Sequence, residues 1–201
     1  VLLKNEESIL PLSDANTSVH LCGSKADDLG IQCGGWTITW QGLSGNITEG
    51  TTIYEAMRLA AKTSSNISLD KTASHLDDAS VAVIVVGEMP YAESDGDRTD
   101  LSLSSEDKAL IETASAKNVP IVLLILSGRP LIITDIEPKC KAICALWLPG
   151  SEGNGVADVL FGKYKPTGKL CRTWPRDMSQ VNQSKENVVN PLYEFGYGLT
   201  F

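Results

Sequence analysis

The sequence predicts an α/β fold in which a mostly parallel sheet is covered by helices on both faces. Short apolar runs rich in β-branched residues, each bounded by glycine, proline or serine, recur along the chain, as expected for strands buried on both faces. Segments with helical periodicity lie between or after these runs, and such alternation implies right-handed crossovers between parallel strands. The predicted strands span residues 18–22, 81–86, 119–126 and 142–148.

Two helices are predicted from the spacing of apolar side chains. In TIYEAMRLAAK the apolar residues recur at i, i+3, i+4 and i+7, which places them on one face of a helix: Ile53, Ala56, Met57 and Ala60. Thr52 and Glu55 have the spacing of a capping box at its start. The segment SSEDKALIETASAK has a similar pattern, and its helix is predicted to begin after Ser104 or Ser105.

The glycine-rich segment PGSEGNGVADVLFG predicts a third helix rather than a nucleotide site. It lacks the strand-linked G-x-G-x-x-G spacing, and the chain contains no G-x-x-x-x-G-K-[ST] sequence. Ser151 is a candidate N-cap for a helix over residues 153–161, and Gly162 is a candidate C-terminal stop.

Length and charge limit the classes of partner. A chain of 201 residues suits a single domain with a sizeable core. Its net charge of −8 disfavours nucleic acid and anionic membrane surfaces, and neutral or cationic ligands fit better. The longest apolar run, residues 119–126, is far shorter than the roughly 20 residues that cross a bilayer. No nucleic-acid or membrane partner is therefore predicted.

Cysteine spacing and glycosylation signals bear on metal binding and location. The five cysteines show no C-x-x-C spacing, so no metal site and no cofactor are predicted. The N-x-[ST] sequons favour an extracellular glycoprotein, and the candidate glycosylation sites are Asn16, Asn46, Asn66 and Asn182.

Ser-His-Asp catalysis is not predicted. It requires a histidine, and the chain has only His20, within a predicted strand, and His75, within a polar segment. No G-x-S-x-G sequence is present. Both histidines are predicted to be structural or solvated.

The segment GEMPYAESDGDRTD, residues 87–100, crowds acidic side chains directly after a predicted strand. In parallel sheets, ligands contact the loops that follow the carboxyl ends of the strands. Carboxyl pairs hydrolyse glycosidic bonds, one as proton donor and the other as nucleophile or base. Composition leaves the choice open among Glu88, Glu93, Asp95 and Asp97, and a solvated acidic loop is the alternative.

The segment CGGWTITWQG places Trp36 and Trp40 four residues apart beside paired glycines. These rings could belong to the core. Equally, one ring could present its face to the apolar C–H side of a sugar, because aromatic faces suit such contacts. The pattern alone leaves both interpretations open.

Several motifs together resemble the second domain of glycoside hydrolase family 3, most closely that of plant β-D-glucan exohydrolases and β-glucosidases. They are GEMPYAESDGD, SGRPL, ALWLPGSEGNGVADVLFGKYKPTGKLCRTWP and PLYEFGYGLTF, preceded by VLLKNE…LPL and CGGWTITWQG…GTTI. The resemblance covers nearly the whole chain. It implies a three-layer αβα sandwich with about six strands in its sheet.

The resemblance also implies a domain arrangement. Family members place this domain after an N-terminal (β/α)8 barrel, with the active site in the cleft between the two. Residues 1–201 then form a single domain, in which 1–12 is the end of the linker from the barrel and 175–201 is a C-terminal wrapping segment. The family's nucleophile is an aspartate in a Ser-Asp-Trp motif on the barrel, and no Ser-Asp-Trp occurs in this chain.

Residue roles follow from matching the family's motifs. The pattern G-E-x-P-Y-x-E-x-x-G-D places the catalytic acid/base on Glu93, and a tryptophan that stacks against the sugar corresponds to Trp40. Trp36 is left with a structural role. The chain is thus expected to be the acid/base-bearing domain of a retaining, exo-acting β-glucosidase or β-D-glucan exohydrolase, inactive without its barrel.

The expected substrates are unbranched β-linked gluco-oligosaccharides or β-glucosides, cut from the non-reducing end. The expected location is extracellular, in the cell wall or apoplast. One alternative is a non-catalytic carbohydrate-binding or lid module. Another is a flavodoxin-like or receiver-type domain, which shares the sheet but gives no reason for the tryptophan pair.

Overall fold

The computed structural model describes residues 1–13, 18–61, 63, 66–184 and 187–201. Within these ranges the strands form a single six-stranded sheet of order β1-β6-β5-β4-β2-β3. The strands are β1 (Leu2–Asn5), β2 (Val19–Cys22), β3 (Ile67–Asp70), β4 (Val81–Gly87), β5 (Ile121–Leu126) and β6 (Ala142–Trp147). The α-helices are α1 (Leu29–Cys33), α2 (Ile53–Ala60), α3 (Ser105–Ala116) and α4 (Gly153–Leu160).

The sheet is mostly parallel, as the sequence predicts. Strands β2 to β6 pair in parallel with one another, and only β1 runs antiparallel, at the edge beside β6. The four predicted strands are confirmed with small changes of boundary. Two strands were not predicted: β3, and β1, which lies within the segment 1–12 assigned to a linker and buries Leu2 and Leu3.

Helices cover both faces of the sheet, which confirms the three-layer αβα architecture. Alternate residues of β4 point to opposite faces, so that Val83 and Val85 enter one core cluster while Ile84 enters the other. The first cluster is completed by side chains of α1, α2 and α4. The second is completed by α3, through Ile111, and by the C-terminal segment, through Trp174.

Three of the four predicted capping signals are confirmed, including Gly162, which follows the C-cap of α4 with a φ of 74°. Thr52 Oγ1 accepts a hydrogen bond from the N–H of Glu55, whose carboxylate accepts one from the N–H of Thr52, so the capping box is confirmed. Ser104 caps α3. The prediction of Ser151 as the N-cap of α4 is wrong, because that position is held by Glu152 and no side chain caps the helix.

Among the residues that the structure describes, no helix is both long enough and apolar enough to span a bilayer. The five cysteines are free thiols. Burial raises the pKa of three of them to about 12, namely Cys22, Cys140 and Cys144.

Candidate functional site

The acidic loop, defined as residues 87–100, follows β4 near the middle of the sheet. Glu88 comes directly after the strand, and the short 3-10 helix Glu93–Gly96 forms the middle of the loop. Because β4 and β5 are parallel, the loop lies at the same edge of the sheet as Arg129, which follows β5. The sequence predicts a ligand site at this edge.

Glu88 is the buried carboxylate of the loop. Its side chain is 5% exposed, and Oε1 accepts hydrogen bonds from Nε and Nη2 of Arg129 at 3.0 and 2.7 Å. Arg98 Nη1 lies 3.3 Å from the same oxygen, and the hydroxyl of Tyr91 donates to Oε2 at 3.1 Å. Through these contacts Glu88 holds the loop against the end of β5.

Tyr91 anchors the loop through its ring as well as its hydroxyl. The guanidinium of Arg129 lies over the ring, 4.8 Å from its centroid. Burial raises the pKa of Tyr91 above its ordinary value, and the negative charge of Glu88 raises it further. A Cβ at Gly96 would lie 2.3 Å from the Tyr91 ring, so only glycine allows this packing.

Glu93 differs from Glu88 in its exposure and in its contacts. It is exposed, as are Asp95 and Asp97. No hydrogen bond or ion pair joins its carboxylate to the rest of the described chain. Its φ of 52° lies in the left-handed region, which is uncommon for a residue other than glycine and often marks a functional site. Glu93 thus presents an unpaired carboxylate to solvent.

The tryptophan loop, defined as residues 34–45, follows α1. Trp36 is 71% exposed and Trp40 is 51% exposed, and their ring centroids lie 6.3 Å apart with the planes inclined at 47°. A core position for the pair is therefore excluded. The Trp36 ring is the more exposed of the two, and the structural role expected for it stays a prediction.

The tryptophan loop packs directly against the acidic loop. Oε1 of Gln41 accepts a hydrogen bond from the N–H of Ala92 at 2.7 Å. A Cβ at Gly42 would lie 2.8 Å from Cβ of Pro90, and one at Gly35 would lie 2.1 Å from the carbonyl oxygen of Tyr91. Glycines thus allow the two backbones to approach closely. Trp40 precedes Gln41 in the chain, and Glu93 follows Ala92, so the Gln41–Ala92 hydrogen bond brings the two positions near each other.

Asp28 holds the other end of the tryptophan loop. Its Oδ1 accepts hydrogen bonds from the N–H of Ile31, as the N-cap of α1, and from the N–H of Gly45, both at 2.8 Å. Its Oδ2 accepts from the hydroxyl of Ser44. Sequence reasoning did not identify Asp28, Gln41 or Arg129 as parts of the site. An aspartate before a short apolar segment is an N-cap signal. Nothing in the local sequence indicates that Asp28 also accepts a hydrogen bond from Gly45, 17 residues away.

The remaining predicted residues lie elsewhere. His20 is buried in β2 with Nε2 3.2 Å from Asp78, and the side chain of His75 is exposed, so the structural and solvated roles are confirmed. Asn46 and Asn182 are exposed and Asn66 is half-buried. Asn16 lies outside the described residues.

Comparison with known proteins identifies the family of this chain. The profile of the glycosyl hydrolase family 3 C-terminal domain matches residues 1–201. A lysosomal β-glucosidase of Dictyostelium discoideum is 32% identical over 100% of this chain and 28% of its own length. A periplasmic β-glucosidase of Salmonella typhimurium is 29% identical over 100% of this chain and 33% of its own length.

A solved structure shares the fold. The structure of a mutant exo-1,3/1,4-β-glucanase from a Pseudoalteromonas species superposes with a TM-score of 0.87 at 37% identity, covering 100% of this chain and 34% of that one. The chain spans about a third of the length of the relatives that it matches. The match over the whole chain, together with the shared fold, shows that this chain belongs to glycoside hydrolase family 3, as a C-terminal domain of that family.

Proposed function

We propose that this chain supplies the catalytic acid/base, Glu93, of a retaining exo-acting β-glucosidase or β-D-glucan exohydrolase. The observation that carries the proposal is the pairing of an exposed, unpaired carboxylate with an exposed aromatic ring across the Gln41–Ala92 hydrogen bond. A sugar-cleaving site needs both a proton donor at the glycosidic oxygen and a surface that orients the ring. Glu93 and Trp40 offer these two functions on two loops that this hydrogen bond joins.

In this mechanism Glu93 first donates a proton to the leaving oxygen and then accepts one from the water that hydrolyses the glycosyl-enzyme intermediate. The second carboxyl group of a retaining enzyme lies about 5 to 5.5 Å from the first. Glu88 is poorly suited to that role because its two oxygens are occupied by Arg129, Arg98 and Tyr91. The proposal therefore assigns the nucleophile to a (β/α)8 barrel outside this chain.

Exposed apolar side chains around the site support a partner domain. Trp36 and Ile38 are each 71% exposed and Met89 is 56% exposed, although all three belong to the two loops of the site. Large apolar side chains exposed on two adjoining loops are typical of surfaces that another protein surface covers. The relatives, of which this chain covers only 28% and 33%, have room for such a domain.

The proposed substrates are unbranched β-linked gluco-oligosaccharides and small β-glucosides. Two matching relatives are named β-glucosidases and the matching structure is an exo-1,3/1,4-β-glucanase. Others are named β-xylosidases, so the sugar at the cleaved end needs a direct test. Comparing hydrolysis of aryl β-glucosides and aryl β-xylosides by the full-length enzyme provides it, and a preference for the xyloside would contradict the proposal.

The acid/base assignment is tested by Glu93→Gln in the full-length enzyme. We expect turnover of an unactivated glucoside to fall about 10² to 10⁴-fold, the usual contribution of a positioned proton donor. A 2,4-dinitrophenyl glucoside should lose less in its first step, because this leaving group departs without a proton. Thermal unfolding should be unchanged, since Glu93 is exposed and unpaired among the described residues.

Glu88→Gln is the matched control within the same loop. It removes the charge that Arg129 and Arg98 share, and breaking such a buried pair costs on the order of 3 kcal/mol of folding free energy. We therefore expect a lowered unfolding temperature from Glu88→Gln and no such change from Glu93→Gln. Near-normal turnover by Glu93→Gln would remove it as the proton donor and would favour a non-catalytic, sugar-binding lid module instead.

A further inference from the structure

A buried ion pair joins the segments from which the two loops of the candidate site extend. Lys25 Nζ lies 2.7 Å from Oδ1 of Asp107, and the two side chains are only 10% and 2% exposed. Lys25 belongs to the 3-10 helix Ser24–Asp27, which connects β2 with α1. Asp107 belongs to the first turn of α3, where its N–H donates to Oγ of Ser104. The pair thus joins two elements whose paired residues are 82 positions apart in the chain.

Asp107 also holds the first residue of the acidic loop. Its Oδ2 accepts a hydrogen bond from the N–H of Gly87 at 3.2 Å. The N–H of the next residue, Glu88, donates to the carbonyl oxygen of Leu126 in β5. Strand β2 no longer pairs with β4 at this point, because its register along β4 ends at Ile84. Asp107 thus supplies an acceptor that a neighbouring strand would otherwise provide.

The segment that carries Lys25 also leads to the tryptophan loop. Asp28, which follows the 3-10 helix, is the N-cap of α1 and accepts a hydrogen bond from Gly45, the last residue of that loop. Asp27 accepts a hydrogen bond from the hydroxyl of Thr52, at the start of α2, at 2.8 Å. Because Asp28 bonds both to α1 and to Gly45, the position of this segment sets the position of the tryptophan loop.

A buried ion pair of this kind is better explained by positioning than by stability. Taking two charges out of water is costly, and apolar side chains of similar volume often stabilise a fold equally well or better. Apolar contacts lack direction, whereas a charged hydrogen bond fixes the geometry of both partners. Here one carboxylate binds two groups, the ammonium of Lys25 and the N–H of Gly87. It thereby fixes the start of the acidic loop relative to the segment that leads to the tryptophan loop.

We propose that Lys25 and Asp107 are positioning residues, which set the placement of Glu93 relative to Trp40 from the bases of the two loops. Both side chains are buried, so they act through the loops rather than on the substrate. The inference rests on the proposed role of Glu93 as proton donor. A displacement of about 1 Å at a reacting group can lower a rate about 10²-fold, so a small shift of either loop has a large effect.

The double variant Lys25→Met/Asp107→Leu, made in the full-length enzyme, tests this inference. It replaces the pair by apolar side chains, and circular dichroism with thermal unfolding would establish that it is folded. We expect kcat/KM for phenyl β-glucoside to fall about 10 to 10²-fold. The loss for 2,4-dinitrophenyl β-glucoside should be much smaller, because this leaving group departs without a proton. A merely less stable enzyme would lose activity on both substrates alike.

Two further variants separate positioning from packing. Lys25→Gln/Asp107→Asn keeps a neutral donor and an acceptor at the same places, so it should retain most of the activity towards phenyl β-glucoside. Lys4→Met/Glu137→Leu is the matched control, because it removes a lysine–carboxylate pair beside the amino end of β6, at the opposite edge of the sheet. We expect this control to leave the ratio of kcat/KM between the two substrates unchanged. If Lys25→Met/Asp107→Leu does not fold, Lys25→Met/Asp107→Asn keeps an acceptor for the N–H of Gly87 and gives the same comparison.

Equal losses on the two substrates by Lys25→Met/Asp107→Leu would overturn the inference, as would unchanged kinetics. Glu93→Gln, measured alongside, separates this failure from that of the proposed function. If Glu93→Gln slows hydrolysis of phenyl β-glucoside and the double variant does not, only the positioning role fails. If Glu93→Gln has near-normal turnover, the acid/base assignment fails and the positioning role fails with it.

Discussion

The side-chain oxygen of Gln41 accepts a hydrogen bond from the backbone N–H of Ala92 at 2.7 Å. Ala92 is only 5% exposed, so this N–H has little access to water. The bond joins two loops that are 51 residues apart in sequence. It therefore sets the position of the tryptophan loop relative to the acidic loop, and with it the position of Trp40 relative to Glu93.

Replacing Gln41 by leucine should loosen this junction. A buried donor left without an acceptor costs about 1 to 3 kcal/mol, so we expect a lower free energy of unfolding in urea and a lower kcat/KM for two-unit substrates. Gln41→Glu is the control because it keeps an acceptor oxygen at the same position, and its stability should stay nearer to that of the wild type. If both variants unfold alike, the Gln41–Ala92 bond does not hold the loops together.

Tyr91 should make stability depend on alkaline pH. Burial, and then the charge of Glu88, raise its pKa above the ordinary value of 10.0. A group whose pKa is raised by folding contributes stability that is fully present below its unfolded pKa and is lost as pH rises through its folded pKa. The free energy of unfolding of the wild type should therefore fall above pH 10.

Tyr91→Phe provides the comparison for this pH effect. It lacks the hydroxyl that donates to Glu88 and should be less stable than the wild type at pH 8. Since it has no phenol to ionise, the difference between the two proteins should shrink as pH rises above 10. A difference that stays constant up to pH 12 would show that ionisation of Tyr91 is not linked to folding.

The central strands of the sheet were predictable because their sequences are continuous apolar runs, the pattern of strands buried on both faces. Every residue of VAVIVV in β4 and of IVLLIL in β5 is buried. Strands β1 and β3 have four residues each, and only Ile67 of β3 is fully buried, so neither has a pattern that distinguishes it from a loop. Their strand conformation depends on pairing with neighbours distant in sequence.

The location of the site was predictable from the sequence, but the role of each of its residues was not. The acidic run after an apolar strand located the loop, but its composition could not separate Glu88 from Glu93. That distinction depends on Arg129, which is 41 residues from Glu88 and is brought to it by the pairing of β4 with β5. The exposure of Trp36 is likewise a tertiary property, since glycines beside a tryptophan occur in cores and on surfaces alike.

Trp40 should contribute to binding rather than to stability. In the full-length enzyme we expect Trp40→Ala to weaken binding of two-unit substrates by about 1 to 3 kcal/mol, the scale for losing a large aromatic contact. Small aryl glucosides should be affected less. Because the ring is 51% exposed, the melting temperature should change little.

Trp36→Ala is the control for Trp40→Ala, because its ring is adjacent and more exposed. A larger loss from Trp36→Ala would assign the stacking role to Trp36 instead. Equal losses on both kinds of substrate, together with a lowered melting temperature, would mean that Trp40 serves the fold rather than the ligand.

The isolated chain of 201 residues should fold but should not hydrolyse glucosides. Both core clusters are built from residues of this chain, with helices on each face of the sheet, so folding does not require another domain. Hydrolysis with retention requires a second carboxyl group about 5 to 5.5 Å from the first. Glu88 is held by its arginine partners, and the nucleophile proposed here lies on the barrel.

Circular dichroism and thermal unfolding would establish that the purified chain is folded, and hydrolysis of 4-nitrophenyl β-glucoside would measure its activity. Adding the barrel as a separate polypeptide should restore activity if the two parts associate, and the Glu93→Gln chain should restore far less, because it adds the same surface without the proton donor. Turnover by the isolated chain that survives repurification and is abolished by Glu93→Gln would mean that a carboxylate of this chain, such as Asp95 or Asp97, completes the site. The division of the catalytic pair between two domains would then be wrong for this protein.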